Sequence, residues 1–480
     1  MNALTVLLPG FEGPELPAWL AQRLRDGLGG VCLFGTNVHS PEQLRALCAA
    51  IHEANPHAII AIDEEGGDVS RLYQSEGSPF PGNAVLGRLD DAALTERVGA
   101  QVGWELRAAG VDLTMAPDVD VNSNPLNPVI GVRSFGSDPT EVGAHGAAWI
   151  RGVQSTGVAA CAKHFPGHGD TAQDSHVSLP TVTADAPTVR ARELAPFVAA
   201  IEAGTDTLMS SHILVPALDP EAPATFSRPI LRGLLRDELG FDGVVVSDAL
   251  DMAGASGGRG VPAAAVLAVD GGCDLLCLGT RNTDQEIEEI VAAIDAALAS
   301  GSLAAEDLAT AADRVRAIGA RLAAARSSFA VPDDLIAGEV PGLDAARAAA
   351  AVGRSEAAFD LLAGGRELAW IRLDPAANIA VGASPWGPFA VGVEPLATLG
   401  PEDDARAAIA AVPPGVLAVV VGKDNHRHAF AREAIDAFRA AGPTLAVDMG
   451  WADPDAGYAD VSTAGASRLM GAALLEAVAR

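Results

Sequence analysis

The sequence predicts an α/β protein: a (β/α)8 barrel of the TIM type over residues 1–330, a linker over 331–342, and a smaller α/β sandwich-like domain over 343–480. Three observations predict it. Eight short apolar runs alternate with helix-like stretches across the first domain, and such alternation pairs strands in parallel with helices outside. Polar residues follow the C-terminal end of run after run, as they do where a barrel gathers its active site on one face. Near Phe329 the pattern breaks, and a shorter strand–helix–strand pattern resumes beyond it. An open doubly wound sheet is the alternative for the first domain.

The apolar runs are Leu4–Pro9, Gly30–Gly35, Ala58–Ile62, Asp112–Pro117, Val158–Ala162, Thr205–Ser210, Gly243–Ser247 and Cys273–Gly279. Between them the pattern predicts helices over Pro41–Asn55, Ala92–Ala109, Pro139–Gln154, Val189–Ala203, Pro229–Glu238 and Asn282–Leu298. Ser40 before Pro41-Glu42 and Ser227 before Arg228-Pro229 are helix-start signals. Gly110, Gly157, Gly204 and Gly240 stand where helices should stop. Ala304–Ser327 reads as a long alanine-rich helix, and Phe329 to Asp334 interrupts it. The second domain should hold helices over Leu343–Leu362 and Ala429–Ala441, with strands over Gly415–Gly422 and Thr444–Met449.

Composition excludes some functions. A chain of 480 residues suggests two or three domains, and about half its residues are apolar, enough for large cores. The net charge of −30 argues against nucleic acid or an anionic membrane surface as partner. No run of apolar residues is long enough to span a bilayer. No charged segment followed by an apolar one opens the chain, so a cytoplasmic location is expected. The five cysteines, Cys32, Cys48, Cys161, Cys273 and Cys277, lack zinc-module spacing, and four sit inside apolar runs. They read as buried thiols in a reducing compartment.

The chemistry gathers where the runs end. Ile62 leads into Asp63-Glu64-Glu65-Gly66-Gly67, Pro117 into Asp118-Val119-Asp120, Ala162 into Lys163-His164, Ser210 into Ser211-His212, and Ser247 into Asp248. The densest stretch is 163–176, with Lys163, His164, His168, Asp170, Asp174 and His176. Lys163 and Lys423 are the only lysines in a chain that otherwise uses arginine. A compact point charge differs from a planar fork, and position 163 reads as needing the former. Asp248, at the end of a strand, can act as nucleophile toward a sugar C1. Asp174 and His176, two apart on an extended loop, can face the same side. A carboxylate so placed orients an imidazole for general acid/base work. Lys163 can bind a sugar hydroxyl and hold the nucleophile ionised. The alternative is a barrel-mouth zinc site using His164, His168, His212 and Asp248, although Pro166-Gly167 oppose the helix that would bring the first two together. The preferred reading needs no metal and no cofactor.

These residues resemble glycoside hydrolase family 3 in its β-N-acetylglucosaminidase subgroup. The resemblance rests on ordered motifs: Asp63-Glu64-Glu65-Gly66-Gly67 with Arg71; Asn127 through Arg133 to Gly136; Lys163 through Asp170 with Asp174-Ser175-His176; and Ser247 through Met252. It covers about residues 1–330, and Gly422-Lys423-Asp424 to Met449-Gly450-Trp451 looks like the second domain that some members carry. The resemblance implies a retaining double displacement. Asp248 would attack the anomeric carbon, and His176, partnered by Asp174, would be the acid/base. Asp63, Arg71, Arg133, Lys163 and His164 would hold a terminal N-acetylglucosamine of a small carbohydrate. Asp68 departs from the arginine many members have. A neutral imidazole does not repel an anion, so phosphate can compete with water as acceptor. β-Glucosidase or β-xylosidase specificity is the alternative within the family. A monomer or homodimer is expected, turning over chitin fragments or cell-wall sugars.

Overall fold

All eight expected barrel strands form, in the expected order. They are β1 (Leu7–Leu8), β2 (Gly30–Leu33), β3 (Ile59–Ile62), β4 (Leu113–Thr114), β5 (Ala159–Phe165), β6 (Thr207–Ser210), β7 (Val244–Ser247) and β8 (Leu275–Cys277). This computed structural model describes residues 2–173, 179–375 and 381–479. From β2 to β8 each strand pairs in parallel with the next, and β8 pairs in parallel with β1. The ring is closed by Cys32, whose amide donates to the carbonyl of Pro9 at 2.9 Å. The run Leu4–Pro9 yields only a two-residue strand because the Asn2 side chain accepts from the Leu4 amide, capping a 3-10 turn over Ala3–Val6.

The interior is a packed core rather than a pore. Leu8, Cys32, Ala61, Leu113, Cys161, Met209, Val246, Leu275 and Cys277 meet there. Val315, Ile318 and Leu322 of the helix Ala305–Ser328 join the same cluster. That helix is fixed by three ion pairs, each to an aspartate that directly precedes a strand. Arg326 meets Asp112 before β4 at 2.5 Å, Arg321 meets Asp206 before β6 at 2.6 Å, and Arg314 meets Asp274 before β8 at 3.2 Å. Asp112 also accepts from the Ile60 amide, and Asp274 from the Val245 amide. The Asp112 and Asp274 carboxylates are almost fully buried, and leaving a buried charge without its partner typically costs about 3–5 kcal/mol. The N-terminal end of the barrel is thus a fixed floor, and the chemistry is left to the opposite end. All five cysteines are buried, and none forms a disulfide. Among the described residues no helix is long and apolar enough to cross a membrane.

The chain divides into two units: Met1–Glu65, Thr95–Asn127 and Ser137–Ala337 in the first, and Gly66–Leu94, Pro128–Gly136 and Gly338–Arg480 in the second. The second is built on a six-stranded sheet of β9 (Gly353–Arg354), β10 (Leu368–Leu373), β11 (Ala397–Leu399), β12 (Leu417–Gly422), β13 (Thr444–Asp448) and β14 (Val461–Ser462). Its order is β11-β10-β12-β13-β14-β9, parallel except for the β14–β9 pair. Alternate residues of β12 and β13 feed two cores, as a period of two requires. Leu417, Val419, Val421, Leu445 and Val447 pack with Met470, Ala473 and Leu474 of the helix Arg468–Ala479. Ala418, Val420 and Ala446 pack with Ile435 and Phe438 of the helix Ala429–Ala441.

The helix expected over Leu343–Leu362 does not form as one piece. It breaks at Gly353–Arg354, which pairs with β14, and restarts at Glu356 behind the N-cap of Ser355. The strand β10 and the helices Ala18–Arg25, Asn83–Leu89, Val261–Gly271 and Arg468–Ala479 were not anticipated by the sequence pattern. Segments 66–94 and 128–136, although within the first 330 residues, belong to the second unit's core. Ala84 and Val85 are buried with the β12 and β13 side chains. The Asn83 side-chain amide donates to the Arg133 carbonyl at 2.6 Å, and Gly87 lies so close to the Phe135 carbonyl that no larger residue fits there.

Candidate active site

The first unit brings its polar residues together at the C-terminal ends of β3, β4, β5 and β7. β5 runs on to Phe165, three residues past the expected end, and its register against β6 shifts between Ala162 and Phe165. Lys163 and His164 lie within that irregularity, and the Lys163–His164 and Phe165–Pro166 peptides are both cis.

Lys163 is almost fully buried, with an exposure of 2%. Its Nζ lies 2.9 Å from Asp63 Oδ1 and 2.6 Å from Glu65 Oε1, both beyond the end of β3. Thr114 of β4 holds this segment by donating its hydroxyl to the Glu64 carbonyl at 2.9 Å. The lysine therefore neutralises a pair of carboxylates, of which Asp63 is the more exposed. A single ammonium with three rotatable donors suits two acceptors from one strand end.

His164 is organised by Asp120. The Asp120 carboxylate, fully buried, meets His164 Nδ1 at 2.7 Å and accepts from the amides of His164 at 3.3 Å and His168 at 2.7 Å. Its own amide donates to Asp118 Oδ1. The turn that follows is tied down again by Asn127, whose side-chain amide donates to the carbonyls of His168 and Gly169. Gly169 packs on the Val121 carbonyl, where a Cβ would sit only 1.7 Å from that oxygen. His168 stands edge-on to His164 with ring centroids 5.9 Å apart, and its Nδ1 meets the Thr171 hydroxyl. Burial lowers its pKa to about 4, so it is neutral near pH 7. Beyond it, Arg192 bridges Asp170 at 2.7 Å and Glu193 at 2.5 Å. Burial, opposed by Arg192, pushes the Glu193 carboxyl up to about 7.

Asp248 follows β7 directly and is half-buried. Its amide donates to the Ser210 carbonyl of β6 at 3.2 Å, and its Oδ1 accepts from the Ala249 amide at 2.7 Å. The Cys161 thiol inside the barrel is pushed up to about 12, chiefly by burial, and it feels the charges of Lys163, Asp63 and Asp248 together. His168 feels Asp248 as well. Asp63, Lys163, His164 and Asp248 stand at the C-terminal ends of the odd-numbered strands β3, β5 and β7 of one parallel ring, and so at one mouth. Alternate strands share a layer in such barrels.

The zinc alternative fails at His212. Its Nδ1 is engaged by the Thr225 hydroxyl at 2.9 Å and its Nε2 by the Ala249 carbonyl at 3.0 Å, so both ring nitrogens already have partners within the protein. Among the described residues the group with metal-ligand spacing is Asp118, Asp120 and His164, with ligand atoms within 4.8 Å of one another. The hydrogen bonds from the imidazole and two amides onto Asp120 give that cluster a positioning role of its own.

Arg71 and Arg133 lie in the second unit. Arg71 Nη1 donates to the Val381 carbonyl, and Arg133 Nη1 to the Val129 carbonyl. Asp174 and His176 fall outside the described residues. The contacts made by Asp120, Asn127 and Glu65 were not foreseen. A signal was present for Asp120 in the Asp118-Val119-Asp120 strand end and for Asn127 at the head of its motif.

Residues 15–318 match the model of the glycosyl hydrolase family 3 N terminal domain. The chain belongs to glycoside hydrolase family 3. A family 3 β-N-acetylglucosaminidase from Paenibacillus sp. str. FPU-7 is similar over 99% of this chain and 95% of its own, with 30% identity and a TM-score of 0.87. The chain is 41% identical over 281 residues to a beta-hexosaminidase of Stenotrophomonas maltophilia (strain K279a), covering 56% of this chain and 82% of that one. It is 35% identical over 349 residues to Beta-hexosaminidase A of Pseudoalteromonas piscicida, covering 67% of this chain. The matched part spans 58% of that relative's length. Family membership accounts for the barrel. The Asp120 hub shows how this family 3 chain holds its Lys163-His164 segment in place.

Proposed function

We propose that this family 3 chain is a retaining, exo-acting β-N-acetylglucosaminidase that releases terminal N-acetylglucosamine through a glycosyl-enzyme intermediate. Asp248 attacks the anomeric carbon, and His176, with Asp174 beside it in sequence, protonates the leaving oxygen and then deprotonates the acceptor. Asp63, Lys163 and His164 bind the terminal sugar, and Arg71 and Arg133 carry the same role by their motifs. The observation that carries the reading is the gathering of Asp248 with the Asp63–Lys163–Glu65 and Asp120–His164 groups at one barrel mouth. Such a mouth offers a nucleophile beside polar groups held rigidly enough to orient a sugar. The names of the similar proteins support N-acetylglucosamine as the sugar. Five buried cysteines, none in a disulfide, fit a reducing, cytoplasmic setting.

The acceptor in the second step is water or phosphate, since an imidazole base that is neutral before deprotonation does not repel an anion. One assay tests both parts. The p-nitrophenyl N-acetyl-β-glucosaminide is expected to be turned over at least about a hundredfold better than the glucoside or xyloside, because a site built for the acetamido group leaves its polar partners unmet otherwise. With phosphate present, a sugar 1-phosphate is expected beside free sugar. Preferred turnover of the glucoside would refute the substrate, and an unchanged product with phosphate would remove that acceptor.

A further inference from the structure

Both lysines of the chain hold carboxylates of a single short segment, and the second pair belongs to no part of the mechanism above. Lys163 takes Asp63 and Glu65, whereas Lys423 takes Asp68, with Nζ 3.5 Å from Oδ2. The Asp68 side chain is largely buried. Its Oδ1 accepts from the Ala466 amide at 2.7 Å. Lys423 follows β12 and lies over the Trp386 ring at 4.9 Å, and Arg372 of β10 lies over the same ring at 5.0 Å. Trp386 is itself buried in the second unit's core, so Lys423 is mounted on a rigid base.

Asp68 sits at the weak point of its segment. Gly66 and Gly67 before it are in the left-handed region, with φ of +75° and +62°. Gly67 touches Gly82 so closely that a Cβ would meet the Gly82 Cα at 2.3 Å. Two such glycines give the chain freedom that only tertiary contacts remove. Arg71 follows three residues after Asp68.

We infer that Asp68 and Lys423 form a positioning pair that fixes the segment carrying Arg71 and thereby sets sugar affinity. This rests on the proposed function, in which Arg71 contacts the sugar. It gives the second unit a role in binding through contacts wholly within itself: Ala466, Lys423 and Trp386 hold Asp68, and Asp68 holds the backbone leading to Arg71. An arginine at position 68 would set two cations against each other instead.

The test compares Asp68→Asn, Lys423→Met, their double variant and Arg71→Met in the full chain, with p-nitrophenyl N-acetyl-β-glucosaminide as substrate. Asparagine keeps the acceptor for Ala466, and methionine keeps a stem over Trp386, so both variants should fold. Either single change is expected to raise KM about tenfold while kcat stays within about twofold, the pattern of lost uniform binding. The double variant should be no worse than the poorer single, as expected for partners in one contact. Hydrogen exchange of the 66–73 backbone should rise in each. A wild-type KM in both singles, with KM raised in Arg71→Met, overturns the pair and leaves the functional reading intact. A wild-type KM in Arg71→Met refutes Arg71 as a sugar contact, and the positioning role with it. If the wild-type protein does not turn over this substrate, the functional reading fails, and unchanged exchange at 66–73 would overturn the anchoring as well.

Discussion

Asp248→Ala is expected to lower kcat by at least about a thousandfold, a loss of roughly 4 kcal/mol of transition-state stabilisation, with the fold unchanged. The side chain is half-buried, and its Oδ1 accepts from the neighbouring Ala249 amide. The strand behind it is held by pairing with β6 and β8. Truncation therefore removes the nucleophile without opening a core. Steady-state kinetics on the nitrophenyl N-acetylglucosaminide, with urea midpoints for both proteins, checks this. Added azide should restore part of the rate to Asp248→Ala by entering the vacated space as an external nucleophile, and should give the opposite anomer of the product. Asp248→Asn should be as inactive, since an amide cannot form the ester that the next step hydrolyses.

Lys163→Met carries the second-largest effect, and here stability and activity should fall together. The lysine lies between Asp63 and Glu65 with side-chain exposures of 3% for Lys163 and Glu65. Taking away the cation leaves the buried Glu65 and the more exposed Asp63 without the ammonium between them. Such losses cost about 3–5 kcal/mol, mostly from the charges left behind rather than from the bond removed. Urea unfolding should show that loss, and kcat/KM should fall at least about a hundredfold as Asp63 loses its place. The double variant Lys163→Met with Glu65→Gln separates the two effects. It should recover at least about 1 kcal/mol of stability by removing one confined charge, yet remain inactive. Full stability in the single variant would mean that the carboxylates are solvated and that the burial argument is wrong.

Much of this was legible in the sequence because strand ends are. Alternating runs fixed eight strands, and the residue after each run fixed what stands at the mouth: Asp63, Lys163 and Asp248 are all first residues past an apolar run or within its extension. What was not legible depended on backbone groups and on choice of core. Asp120 acts by accepting amides from a turn forty residues later, and nothing in its neighbours announces that partnership. The need for a point charge at Lys163 was legible, and its pairing with Asp63 and Glu65 was not, because charge type is readable in a sequence and partner identity is not. Ala84 and Val85 have no periodic signal that chooses between two cores, so the membership of Arg71 and Arg133 in the second unit was hidden. The break at Gly353 was missed because apolar and alanine-rich residues flank it and mask a two-residue strand.

The central claim is that Asp248 forms a covalent bond to the sugar. Incubation with a slow fluorinated N-acetylglucosaminyl donor, followed by proteolysis and mass spectrometry, tests it most directly. One sugar per chain is expected, on the peptide spanning Val244 to Met252 and localised to Asp248. A label on any other residue, or full turnover of the donor to the inverted product with none trapped, would contradict the account.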